Sequence, residues 1–328
     1  MSLFKGEAMR DCGRTNWGKN GLVVTIALGF ALVCMLVIPV SSWAHGFAGK
    51  RFFPTTFKVE DPFVSDEFSI LFSHLKEPDA KTTEIGIDYS KRIIPNLGIS
   101  IGESYLHQDF TDGSSASGFG NLELGAKYQF LTSAEHEALF SLGVSAEIGG
   151  TGATRVGAES FSVVSPTFYF GKGFGDLPES LKFLRPFAIT GVIAPNFPTR
   201  NSNLTFNEDT GENDIERNPT TLTWGFTLQY SLMYLQSFVK DIGLGTPFSR
   251  MIIVTEFPME TCLSADCKGK ITGTVNPGIV WCGKYMEFGI AAQIPINERS
   301  GKSVGILALF HLFIDDLFPK SIGKPIFP

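Results

Sequence analysis

The sequence has little charge and little cysteine for its length. Charged residues make up 18% of the 328 residues, and cysteine occurs five times. Soluble domains carry roughly 25% charged residues, whereas the apolar fraction of 43% is far too high for a disordered chain. The formal net charge of −6 argues against a nucleic-acid partner, because phosphate contacts need a basic face.

Helical periodicity is also missing. After residue 65 no long stretch repeats its apolar residues every 3.6 positions. The chain instead contains 30 phenylalanines and 35 glycines. Since each glycine inside a helix costs about 1 kcal/mol, this composition excludes a helical bundle and favours an all-β fold.

The first 44 residues have the order of a secretory signal peptide. Four basic residues precede an apolar run from Gly21 to Val40, and small residues lead to a cleavage site after Ala44. We therefore predict that residues 1–44 are removed on export. The apolar run is also long enough to span a bilayer as a retained anchor.

Three cysteines remain in the exported chain, where the compartment is oxidising. Cys262 and Cys267 are five positions apart in a loop-like stretch, and we predict a disulfide between them. Cys282 lies inside an apolar stretch and is expected to be a buried filler. No histidine or further cysteine stands at zinc-ligand spacing beside them, so no metal site is predicted.

The exported chain alternates apolar and polar residues in stretches of nine to thirteen residues, as between Leu222 and Leu232. Strands of soluble proteins average five or six residues, but a tilted strand that crosses a membrane needs roughly nine to eleven. Twelve such strands are predicted, near residues 66–75, 83–93, 97–107, 119–131, 138–148, 161–172, 186–195, 220–235, 250–258, 273–282, 285–296 and 304–314.

These strands predict an all-β transmembrane antiparallel β-barrel over residues 66–314, with a tail at 315–328. Short turns alternate with longer polar loops, which places both chain termini on the periplasmic side of a Gram-negative outer membrane and the longer loops outside. Two periplasmic connections, 173–185 and 236–249, are longer, and each has room for a short helix. The expected partners are outer-membrane lipid, lipopolysaccharide and the barrel assembly machinery.

The polar face of the strands is expected to line the lumen. It is mainly acidic, with some neutral hydrogen-bonding groups, and its predicted members are Glu84, Asp88, Glu123, Lys127, Glu147, Lys172, Gln229, Glu256, Glu287 and Gln293. One interpretation is a closed lumen filled with Glu–Lys pairs and water. The other is a narrow pore whose carboxylates disfavour anions, since charged rings set the selectivity of pores.

The segment 45–65 between the leader and the first strand does not alternate. It contains five phenylalanines, Phe47, Phe52, Phe53, Phe57 and Phe63. The segment is either a disordered periplasmic tail or a plug folded into the lumen. The second interpretation explains why so many aromatic rings would not be left in water.

No catalytic or cofactor motif is present. A Gly-x-Ser-x-Gly elbow is absent, and the Gly118-Phe119-Gly120 stretch lies where the period is 2, without the helix that a dinucleotide fingerprint needs. We expect no cofactor and no enzymatic activity. The predicted function is a channel for small organic solutes. The alternatives are a closed structural or adhesion barrel and, less favoured, an outer-membrane lipid hydrolase.

The run from Gly118 to Tyr128, with Gly171-Lys172-Gly173-Phe174-Gly175 downstream, resembles a family of outer-membrane proteins associated with the MetA pathway of phenol degradation. That family is similar in outline to fatty-acid and aromatic-hydrocarbon transporters. The resemblance implies a barrel that passes small, often hydrophobic or aromatic molecules, and it implies no specific site residues. The chain departs from it at residues 315–328, which extend beyond the last predicted strand.

Overall fold

A computed structural model describes residues 46–207 and 212–327. The predicted signal peptide lies outside the described residues. Seventeen strands occur in the described part of the chain: β1 Phe47–Ala48, β2 Arg51–Phe52, β3 Glu67–Lys76, β4 Ala80–Ile94, β5 Leu97–Phe110, β6 Ser115–Phe119, β7 Leu122–Ser133, β8 Ala138–Ile148, β9 Val163–Gly173, β10 Phe187–Pro198, β11 Ser202–Asn207, β12 Glu212–Arg217, β13 Thr221–Ser231, β14 Met251–Cys262, β15 Ile271–Cys282, β16 Met286–Pro295 and β17 Gly305–Phe313.

Twelve of these strands form one closed antiparallel barrel, which confirms the predicted fold. The order runs β3, β4, β5, β7, β8, β9, β10, β13, β14, β15, β16 and β17, and β17 pairs with β3 to close the ring. The barrel strands contain nine to fifteen residues each. Closure leaves no unpaired sheet edge, which is the condition for a sheet in lipid.

Two further strand pairs extend beyond the barrel. β6 pairs with the far part of β5, from Tyr105↔Phe119 to Asp109↔Ser115, and β11 pairs with β12 as a separate hairpin. The predicted strand at 119–131 is therefore interrupted. The break falls at Gly120 and Asn121, where the Asn121 amide donates to Glu147 instead of continuing along a strand.

The two ends of the barrel are named here by the chain segments that lie at them. The end where β3 begins and β17 finishes is called the terminal end, and the opposite one is called the loop end. Short helical turns occur at Thr154–Val156, Glu179–Leu184, Leu232–Tyr234, Leu235–Val239, Phe248–Arg250, Ala265–Cys267 and Ile314–Leu317. No helix in the described part of the chain has the length and apolar character to cross a bilayer.

The eighth barrel strand ends earlier than the sequence predicts. A strand was expected through residue 235, but β13 finishes at Ser231 and helical turns follow from Leu232 to Val239. The cause is local: the Ser231 hydroxyl accepts a hydrogen bond from the Tyr234 backbone N–H at 3.0 Å and caps the turn.

The outward face of the barrel is an apolar belt. Along each barrel strand every second side chain points outward, and many of these are large, apolar and more than a third exposed: Ile85, Ile87, Ile99, Ile101, Leu124, Ile193, Leu228, Ile253, Ile279, Phe288, Ile290 and Ile306. Such a surface is stable only against lipid or another apolar phase. Part of the belt is a row of rings, in which Phe140 stacks between Phe130 and Phe168 with centroids 6.3 and 6.0 Å away.

The tail after β17 folds back onto the terminal end of β4. The backbone N–H groups of Ile326 and Phe327 donate to the carbonyls of Arg92 and Ile93. Arg92 also donates to the Gly323 carbonyl at 2.9 Å.

Candidate functional site

Residues 46–66, called here the plug segment, lie inside the barrel. The segment starts at the terminal end, passes through the lumen and returns to the terminal end where β3 begins. Phe52, Phe53, Phe57 and Phe63 are buried, each at most 7% exposed, whereas Phe47 is 42% exposed and packs its ring 5.0 Å from that of Phe52. Burying four phenylalanines stabilises this position by several kcal/mol.

One half of the barrel packs closely on the plug segment. Many inward side chains of β14 to β17 in this half are apolar, and they enclose Phe52 and Phe57 in a single cluster with Ile252, Val254, Val280, Leu307 and Leu309. This half, β13 to β17, is called the apolar half.

Two buried carboxylates on the apolar half hold the backbone of the plug segment. Glu256 accepts hydrogen bonds from the backbone N–H groups of Phe57 at 2.7 Å, Lys58 at 3.1 Å and Val59 at 3.3 Å. Glu287 accepts one from Thr55 at 3.0 Å. Neither glutamate has exposed surface. Residues 55–59 form neither strand nor helix, and their backbone donors are thereby satisfied, as buried donors must be.

The start of the plug segment is fixed at the terminal end by Arg51, which is 1% exposed. Its guanidinium donates to Glu137 at 3.2 Å and to the Pro186 carbonyl at 2.9 Å. The Tyr234 ring lies 3.9 Å from the guanidinium carbon. A buried arginine that loses such partners leaves a charge unpaired, which is strongly destabilising.

The opposite side of the barrel does not fill the space beside the plug segment. Inward positions of β3, β4, β5, β7 and β8 there are mostly glycine and serine, and they are called the small-residue wall: Ser69, Gly86, Ser90, Gly98, Ser100, Gly102, Ser104, Gly125 and Ser145. Between this wall and the plug segment lies a cavity of about 370 Å³. The cavity exists because residues without long side chains cannot reach the plug.

Four of the predicted lumen residues line this cavity: Glu84, Asp88, Glu123 and Lys127. The two strands that flank β5 place Asp88 and Glu123 opposite the same residue, Gly102, on either side of it. Since Gly102 has no side chain, bare backbone separates the two carboxylates. The charged part of the cavity lining is therefore mainly acidic.

The remaining predicted lumen residues lie elsewhere on the inner face. Glu256 and Glu287 contact plug backbone rather than the cavity. Gln229 and Gln293 are buried in the apolar half, and Glu147 lies directly across from Glu123 on β8.

Lys172 differs from the prediction that it lines the lumen. It shares the outward parity of Phe168 and Phe170, because the intervening Gly171 faces the plug segment. At the terminal end the Lys172 ammonium donates to Asp176 at 2.9 Å. That hydrogen bond lowers the pKa of the Asp176 carboxyl, which lies outside the strands.

The Cys262 and Cys267 sulfurs form a disulfide, and it closes the connection between β14 and β15 at the loop end. Cys282 is a free, buried cysteine on the inner face of β15. No group of three or more histidine, cysteine or acidic side chains in the described ranges is arranged to hold a metal ion.

Sequence reasoning missed three contacts of the plug segment. Gln129 accepts from the Val64 backbone N–H at 3.2 Å, the Ser141 hydroxyl donates to the Pro62 carbonyl, and Arg51 makes the contacts above. Gln129 and Ser141 are inward by parity, so the alternation placed them in the lumen. It contained no signal for which part of a non-periodic segment they would meet.

The fold is similar to that of solved outer-membrane proteins. An outer membrane channel from Pseudomonas putida F1 matches with a TM-score of 0.51 and 11% identity, over 78% of this chain and 97% of that one. The NanC porin matches with a TM-score of 0.45 and 7% identity, over 75% and 98% of the two chains. For the KdgM porin the TM-score is 0.43 and the identity 12%, over 74% and 98%.

At such low identity, the likeness to the Pseudomonas channel concerns the fold alone. No protein-family model matches the chain, and no curated protein matches it significantly. The resemblance to the MetA-pathway family therefore stays a prediction.

Proposed function

We propose that the protein is an outer-membrane channel for small solutes, with its path between the plug segment and the small-residue wall. The observation that carries this proposal is the cavity of about 370 Å³ beside the plug segment. On the apolar half, buried side chains pack directly against Phe52 and Phe57. The apolar belt on the outside supports a position in a membrane.

The charged groups in the cavity lining favour polar solutes over aromatic ones. Serine hydroxyls, glycine backbone and carboxylates line much of the space, together with apolar side chains such as Leu71 and Val144 and the rings of Phe57, Phe63 and Tyr169. The carboxylates of Glu84, Asp88 and Glu123 bias such a path against anions, as charged rings do in other pores. We therefore propose cationic or neutral polar molecules as solutes, rather than the hydrophobic ones implied by the family resemblance.

The test is single-channel recording of the refolded protein in planar bilayers under a salt gradient. We expect discrete open steps and a reversal potential whose sign shows that cations pass more easily than anions. A variant that lacks residues 46–62 should give larger steps, because its lumen is empty while every barrel strand is intact. Silence of both proteins would refute the channel and would favour a closed structural barrel.

A further inference from the structure

Two ion pairs attach the plug segment to the small-residue wall. In one the plug residue is the cation, and in the other the plug residue is the anion. The plug residue Lys58 places its ammonium 3.3 Å from a carboxylate oxygen of Glu84 on β4. The plug residue Glu60 places its carboxylate 2.5 Å from the ammonium of Lys127 on β7. All four side chains border the cavity. They therefore cross the proposed path from the plug to the wall.

The pair of Lys58 and Glu84 lies toward the loop end of the cavity. Glu84 is four positions from Ala80, where β4 begins at the loop end. Arg51 and Asp66, at the two ends of the plug segment, are instead held at the terminal end by Glu137 and Arg92. The two ion pairs thus belong to the part of the plug segment that reaches farthest into the barrel.

We propose that these two ion pairs are the gate of the channel, and that the channel opens when they separate while the plug segment stays seated. This inference rests on the proposed function. It assigns the opening movement to side chains that bridge the cavity and leaves the plug backbone on the apolar half in place.

The contacts on the two sides of the plug segment differ in strength. On the apolar half, Glu256 and Glu287 are fully buried and bind four backbone N–H groups. Removing such buried partners is costly. On the wall side, the side chains of Lys58 and Glu84 are each 29% exposed. Partly exposed ion pairs are weak and are screened by salt. Among the contacts that cross the cavity, the pair of Lys58 and Glu84 is therefore the one that releases first, while the buried contacts of Gln129 and Ser141 with the plug backbone stay in place.

The two pairs also differ from each other. Lys127 donates in addition to the Asp61 carbonyl at 2.8 Å, and its ammonium lies 4.5 Å from the centre of the Tyr169 ring. The Tyr169 hydroxyl donates to Glu60 at 2.9 Å. Glu84 has one further partner, the Ser73 hydroxyl at 3.4 Å. We thus assign the first opening step to the pair of Lys58 and Glu84.

Charge-exchange variants of Lys58 and Glu84 test the gate. The quantity measured is the fraction of time that the channel is open in single-channel recordings. Lys58→Gln removes the attraction and should lower the closed-to-open ratio by about 1.4- to 5-fold, the range for one exposed pair. Lys58→Glu and Glu84→Lys place like charges together and should lower the ratio further. The double exchange K58E/E84K restores an opposite pair, and its ratio should return to within about twofold of the wild type.

Salt provides a second measurement on the unchanged protein. The Debye length falls from about 10 Å at 0.1 M to about 3 Å at 1 M ionic strength. The open fraction of the wild type should therefore rise with salt, and that of Lys58→Gln should rise less. Lys182→Glu is the matched control, since it breaks an ion pair with Glu179 on a terminal-end connection far from the cavity. It should leave the open fraction unchanged.

Two results would overturn the gate while leaving the channel intact. One is that Lys58→Gln, Lys58→Glu and Glu84→Lys all conduct but have the same open fraction as the wild type. The other is a double exchange that stays as open as Lys58→Glu alone. Failure of the proposed function is distinguishable, because then neither the wild type nor the protein without residues 46–62 would conduct.

Discussion

Glu256→Ala should release the plug segment from the lumen. The substitution removes both carboxylate oxygens that accept the backbone N–H groups of Phe57, Lys58 and Val59. A buried donor left without a partner costs about 1–3 kcal/mol. Three such donors weaken the seated position by about 3 kcal/mol at the lower end of that range. This corresponds to a roughly 100-fold change in the ratio of seated to displaced plug.

Trypsin cleavage after Lys58 is the direct assay, because it requires the segment to leave its site. In the wild type the neighbouring Phe57 and Val59 are buried and cleavage should be slow. Glu256→Ala should be cut much faster, and its single-channel steps should approach those of the protein without residues 46–62. Thr255→Ala, one position away on the outward face, is the control and should behave like the wild type.

The barrel itself should survive this substitution, because every strand pairs with barrel neighbours and not with the plug segment. Its circular dichroism should keep the β-sheet signal of the wild type. If cleavage after Lys58 and the conductance of Glu256→Ala both equal those of the wild type, the carboxylate does not hold the plug, and our account of the apolar half is wrong.

Three further predictions concern the two faces of the barrel and its direction. Leu228→Arg on the outward face should impair assembly by about 2–4 kcal/mol near the bilayer midplane, whereas the inward Glu123→Gln should assemble normally; equal tolerance in a folding titration would contradict the assigned parity. Replacing Glu84, Asp88 and Glu123 by glutamine should reduce cation preference, and the same change at Glu287 should not; reversal potentials in a salt gradient decide this. After mild reduction of intact cells, a membrane-impermeant thiol reagent should label Cys262 and Cys267, and labelling only after the outer membrane is breached would reverse the direction of the barrel.

The barrel was predictable because its physics is local and periodic. Lipid on one side and a polar lumen on the other force alternation along every strand, so residues 138–148 were predicted with their observed bounds. The departures occur where another local interaction competes. The Ser231 cap ends β13 early, and the Asn121 side chain interrupts the strand expected at 119–131.

The plug was less predictable than the barrel. Five phenylalanines indicated that the segment needs an apolar environment, but its fold depends on partners far away in sequence. Glu256 appeared to be one acidic lumen residue among several, and the alternation by itself did not separate it from Glu123. The difference arises from the residues that surround each glutamate on the inner face. Inward isoleucine and valine pack on the plug segment and bring it against Glu256, whereas inward glycine and serine leave a space between the plug segment and Glu123.

The position of the solute path is tested most directly by a cysteine at Gly86. A side chain there points into the cavity, since an added Cβ meets only the Leu71 carbonyl oxygen, at 3.9 Å. Ala291→Cys is the matched comparison, because Ala291 also faces inward but is buried in the apolar half. The measurement is the single-channel current before and after a positively charged methanethiosulfonate reagent, with the wild type treated in parallel. Our account predicts block of Gly86→Cys and an unchanged current for Ala291→Cys, and an unblocked Gly86→Cys would contradict it.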